Sequence, residues 1–175
     1  MTRNKNILFY LTALGIFILL KLLYTLSETS DLLFILSPTN KIIELITGSQ
    51  ATFIIGEGYF YDKLNIIIDK SCSGFNFWLL CFLMLSFLSI KYFTSSLVKA
   101  LMLLISFVGA YIFTVLVNSS RIFTSIIIEK KFHSLPNQSV IHEGIGIITN
   151  LTFLILIYLA VEKILQKRNS HANIA

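Results

Sequence analysis

Apolar and polar positions in this chain alternate in long blocks, not in short periods. Ile7 to Leu26 is almost entirely apolar, and at about 1.5 Å per helical residue a run of about 20 such residues crosses a hydrocarbon core of about 30 Å. Three more apolar blocks follow, at about 74–90, 100–118 and 143–161. The pattern predicts an all-α polytopic membrane protein of four transmembrane helices, spanning 7–26, 74–90, 100–118 and 143–161, in a single integral membrane domain over 1–175. Arg3 and Lys5 before the first block also suit a secretory signal peptide. The apolar run is long and no clear small-x-small cleavage site follows it, so a retained anchor is expected. Lys21, near the far end of that block, is placed to snorkel to the interface.

The long non-spanning stretch is 27–73. Leu32–Leu36 and Ile42–Ile46 are apolar but short, and Pro38, Asn40, Lys41 and Glu44 interrupt them. They read as interfacial or short amphipathic helix. Gly56-Glu57-Gly58 then signals a turn, and Tyr59, Tyr61, Leu64, Ile66 and Ile68 recur mostly at period two. A small β-hairpin or extended segment leading to Cys72 is expected, with an irregular loop on the bilayer as the alternative. Further on, Asn118-Ser119-Ser120-Arg121 breaks the third apolar block. Ile122–Ile128 either continues that helix or bends along the surface. A loop is expected over 129–139.

Composition reinforces the membrane assignment. Apolar residues make up 55% and charged residues 13%, about half the usual charged share of about 25%, and a soluble domain of this length has too little interior to hide them. The net charge of +5 concentrates at segment ends, so it speaks of topology and not of nucleic acid, for which no binding module is visible. Arg3, Lys5, Lys91, Lys99, Lys163, Lys167 and Arg168 fall on one side with a single acid, Glu162, while the other side has six basic residues and eight acids. The positive-inside rule makes the first side cytoplasmic. Both termini are then inside, in the cell's inner membrane, and 27–73 and 119–142 are extracytoplasmic.

The inner lysines serve as rulers. Cys72 precedes Lys91 by 19 residues, Arg121 follows Lys99 by 22, and His142 precedes Lys163 by 21; as helix these are about 28, 33 and 31 Å. Cys72, Arg121 and His142 therefore share one depth, at the outer face. The residue types fit acyl transfer. A thiol becomes a nucleophile as thiolate, favoured by a helix N-terminus and a nearby histidine. His142 can take that proton and return it to a leaving amine. Arg121 can stabilise an oxyanion or hold a carbonyl. Gly74 and the flanking serines leave room for a substrate backbone.

Other polar residues have blander readings. Cys81 is a small buried hydrophobe, nine residues from Cys72, about 13 Å along a helix and too far for a disulfide. His133 and His171 are solvated. Asn76, four residues after Cys72, and Asn118, one turn before Arg121, are supporting candidates, as is Asn150, two turns after His142. Asn150 serves equally well as an interhelical hydrogen bond. Asp69 is a candidate cap for the second span.

At these residues the chain resembles the exosortase/archaeosortase family of membrane-embedded, sortase-like cysteine transpeptidases. Asp69-Lys70-Ser71-Cys72-Ser73-Gly74 looks like the family's Cys-Ser/Ala-Gly segment, Asn118-Ser119-Ser120-Arg121-Ile122 like its Asn-x-x-Arg segment, and His142-Glu143-Gly144-Ile145-Gly146 like its final His segment. The resemblance covers about residues 50–160. Many members are longer, and this chain resembles the compact, K-type form. The resemblance implies Cys72 as nucleophile, Arg121 as transition-state stabiliser and His142 as proton carrier, with no cofactor or metal. It implies a protein substrate bearing a C-terminal sorting signal: a short, often Pro-Glu-Pro-like motif, a transmembrane helix and a basic tail. A non-enzymatic membrane assembly factor and a small transporter subunit are the competing expectations.

Overall fold

The computed structural model describes residues 2–131 and 138–172, with side chains for 6–128 and 144–168. Five α-helices follow one another: α1 (Thr2–Leu26), α2 (Leu33–Thr47), α3 (Phe75–Tyr92), α4 (Ser96–Lys131) and α5 (Gln138–Ala172). Between α2 and α3 lie strands β1 (Thr52–Ile54), β2 (Gly58–Tyr61) and β3 (Ile66–Ile68). Four helical stretches, Asn6–Leu26, Lys70–Tyr92, Ser96–Ile128 and Gly144–Arg168, are long and apolar enough to cross a membrane. The protein is a multi-pass, helical membrane protein carrying a small antiparallel sheet.

The helices overrun the expected spans. α4 is continuous through Asn118-Ser119-Ser120-Arg121. Polar residues interrupt hydropathy there without interrupting the backbone ladder, since Ser119, Ser120 and Thr124 bond their hydroxyls back to Val115, Leu116 and Ser120 carbonyls. Of the loop expected over 129–139, both ends are helical, and 132–137, with His133, lie outside the described residues.

Contacts group the chain into two units. The first contains 1–25, 76–113 and 153–175. Aromatic rings dominate its packing: Trp78 sits 4.7 Å from Phe107 and donates its indole N–H to the Phe107 carbonyl at 3.0 Å, and Phe113 meets Phe77 and Phe153. Ala13, Ser86, Ser106 and Ala110 are buried, small residues of the kind that let helices approach in a bilayer. Lys99, buried, donates to the Asn6 side chain and lies over the Phe9 ring. Cys81 is fully buried and free, as expected.

The second unit contains 26–75 and 114–152. The interrupted stretch at 32–46 forms one amphipathic helix, α2, that runs through Pro38 and buries Ile35, Leu36, Thr39, Asn40 and Ile43 on one stripe. Gly48, at φ +67°, caps it by donating its N–H to the Glu44 carbonyl. The expected hairpin is a three-stranded sheet in the order β1-β2-β3. Tyr59 pairs with Ile68 and Tyr61 with Ile66. Leu64, expected to continue the alternation, lies instead in a 3-10 turn (Asp62–Leu64) closed by Asn65 at φ 50°. That turn reverses the chain so that the two halves of the periodic run pair with each other. Gly58 has no room for a side chain, since a Cβ would stand 2.4 Å from the Ile68 carbonyl oxygen.

Tyr61 docks the sheet on α2. It is fully buried and donates to Asn40 Oδ1 at 2.7 Å. Burial first, then the charge of Glu44, holds its hydroxyl above the usual phenol range, so it stays a neutral donor. Tyr61→Phe is expected to cost about 1–3 kcal/mol by stranding the buried Asn40 oxygen, measured by denaturant unfolding in detergent.

Candidate functional site

The site is built from the approach to α3. Ile68 ends the sheet, and Asp69 then caps a 3-10 turn (Lys70–Cys72), its Oδ1 accepting from the N–H of Ser71 at 2.9 Å and of Cys72 at 3.2 Å. Asp69 thus caps the turn that carries the thiol and opens the Lys70–Tyr92 stretch. Lys70 reaches back to the Ser27 carbonyl at 2.6 Å and anchors the turn's other edge. Gly74 follows at φ +71°, a conformation that costs an L-residue about 1–2 kcal/mol. α3 begins only at Phe75.

That geometry revises two expectations. Cys72 does not lie in the first turn of α3. It ends the preceding turn, and its N–H is already taken by Asp69. Asn76 does not share a helical face with Cys72, because the left-handed Gly74 interrupts the helix between them. It is exposed and accepts from Lys21 Nζ at 2.6 Å, tying α1 to α3.

Asn118 holds the thiol loop. It is 1% exposed, and its Nδ2 donates to the Cys72 carbonyl. Its side chain also lies against Gly74, where a Cβ would stand 3.0 Å from Asn118 Cγ. Gly74 is therefore required twice, for its dihedral and for this approach. The Oδ1 of Asn118 is buried with no hydrogen-bond partner among the described residues.

Arg121 follows Asn118 by three residues and so adjoins it on the face of α4. Its guanidinium lies on α5 where that helix has no side chain: a Cβ on Gly146 would stand 2.6 Å from Nε and 3.0 Å from Cζ and Nη2. Gly144, by contrast, has nothing within 4 Å of such a Cβ. The Arg121 Nε is buried and has no partner among the described residues. Buried polar atoms are normally satisfied, so this one calls for an explanation.

Cys72 is 7% exposed and free. The Ser71 hydroxyl donates to Asp69 Oδ1 at 2.6 Å and stands 3.8 Å from Cys72 Sγ.

The His142 position lies in α5, one turn before Gly146 and on the same helical face. Its side chain lies outside the described ones. Asn150, one turn after Gly146, is half-buried on that face. The glycines after His142 were expected to allow a close helix approach, and Gly146 does so while Gly144 does not. Ser71 gains a contact that residue type alone did not reveal. Among the described residues no group of three or more His, Cys, Asp or Glu side chains is placed to hold a metal ion. No family model, curated protein or solved structure matches this chain.

Proposed function

We propose that the protein is a membrane-embedded cysteine protease or transpeptidase of the exosortase kind, cutting the C-terminal sorting signal of membrane-tethered proteins. The observation that carries this reading is the Asn118 clamp. It ties the Cys72 loop to α4 one turn from Arg121, whose buried Nε has no hydrogen-bond partner among the described residues.

In this reading Cys72 Sγ, its proton passed to His142, attacks the scissile carbonyl carbon. The carbonyl oxygen takes the electron pair and faces Arg121. The C–N bond then breaks, His142 returns the proton to the leaving amine, and a thioester remains on Cys72. Water or an acceptor nucleophile resolves it. The site faces outwards and both termini are cytoplasmic, supported by the charge bias of the loops. A substrate anchored by its own transmembrane helix is confined to the same bilayer, which raises its effective concentration.

Trapping the intermediate tests the reading. The chain is co-expressed with a tagged secreted protein ending in a short motif, an apolar helix and a basic tail. Acid-quenched membranes are expected to yield a hydroxylamine-labile acyl adduct on the Cys72 peptide. No adduct, or one confined to Cys81, refutes the assignment.

A further inference from the structure

A groove lies in the first unit, at the Lys91 end of α3. Met84, Phe87, Leu88 and Lys91 recur three, four and seven residues apart, so they line one face of α3. Tyr10 of α1 and Tyr158 of α5 complete the walls of an open groove of about 590 Å³. Its lining is apolar except for the two phenol hydroxyls and, at one end, the Lys91 ammonium.

That end is basic. The Lys91 side chain is 60% exposed and stands 3.8 Å from Glu162, a distance that leaves it free to bond another anion. Arg168 lies over the Phe93 ring at 4.9 Å, two residues beyond Lys91. Lys163 and Lys167 belong to the same end of α5, where Glu162 is the one acid.

Size disfavours a helical occupant. One turn of helix, about 10–12 Å across and 5.4 Å long, fills roughly 400–600 Å³, so the groove would hold a single turn. Charge excludes the same occupant on separate grounds, because a transmembrane helix with a basic tail would bring like charge to Lys91 and Arg168. A slender chain with a negative head meets both conditions.

We propose that this groove binds an anionic phospholipid, an acyl chain lying along Met84, Phe87 and Leu88 and the headgroup phosphate accepting from Lys91 Nζ. Glu162 competes with the phosphate for Lys91, and the Arg168 guanidinium adds long-range attraction. The site is independent of the chemistry at Cys72.

Native mass spectrometry of the full chain, delipidated in detergent, tests this by titration with phosphatidylglycerol and phosphatidylcholine of the same acyl chains. Phosphatidylglycerol is expected to bind more tightly by at least about fivefold, the contribution of one basic residue at a membrane surface. Lys91→Glu should erase that preference, and Glu162→Gln should tighten phosphatidylglycerol binding. Leu88→Trp, which fills the groove, should lose both lipids. If Leu88→Trp does not fold, the exposed Lys91→Glu still decides the matter. Equal binding of the two lipids, an unchanged preference in Lys91→Glu, or displacement of phosphatidylglycerol by inorganic phosphate alone or by a basic-tailed apolar peptide would overturn the proposal.

Discussion

Cys72→Ala is expected to abolish processing of a membrane-tethered substrate while the protein accumulates in the membrane at its normal level. Two features of the loop separate chemistry from folding here. The Asn118 clamp and the Asp69 cap both act on main-chain atoms of Cys72, and alanine keeps these. Only the sulfur is lost, one atom from a buried residue whose backbone stays held. The loop should therefore hold its form and lose its nucleophile. Removing a nucleophile that acts with a partner base typically costs several powers of ten. The measurement is the ratio of uncut to cut substrate in membranes, with the variant's abundance as control. Processing at the normal rate would remove the cysteine chemistry and favour an assembly factor, for which the thiol is a packing group.

Gly146→Ala is expected to lower processing by roughly 10²–10³-fold, the usual cost of losing one oxyanion donor, without destabilising the protein. The added methyl group would meet the Arg121 guanidinium at 2.6 Å. What it meets is the far end of a flexible side chain, so Arg121 moves and the helices stay packed. In the helix interior, alanine is favoured over glycine by about 1 kcal/mol, which offsets any small repacking cost. Gly144→Ala is the matched control, since it adds the same methyl group two residues away in open space. Equal activity and thermal stability in the two variants would show that the seat under Arg121 has no part in the reaction. A loss of activity confined to Gly146→Ala, with unchanged unfolding temperature, supports Arg121 as a positioned donor.

The two substitutions probe different depths of what a linear reading can reach. Cys72 stands out as a thiol among small residues at the edge of an apolar block. Its level with Arg121 follows from counting residues between polar anchors, because helical rise converts sequence distance to depth. Asn76 shows where counting fails. Its four-residue spacing from Cys72 implied a shared face, but Gly74 adopts a left-handed conformation and resets the helical phase. The Tyr59–Ile68 run shows the same limit. Its period of two identified strand, but the reversal at Asp62–Asn65 and the pairing with β1 depend on partners remote in sequence.

Hydropathy alone was enough to establish the membrane class and the number of long apolar helices, though not where those helices end, because transfer into hydrocarbon depends on side-chain composition summed over a helix and is nearly blind to neighbours. The common depth expected for Cys72 and Arg121 rests on the same one-dimensional geometry. Rotation about each helix axis is different in kind, since every rotation buries a similar apolar area in lipid. Only the tertiary contacts chose it, by turning the Asn118 amide to the Cys72 carbonyl and resting Arg121 on the bare backbone of Gly146. Those contacts bring the Cys72 loop onto α4 one turn from the residue that lies on α5.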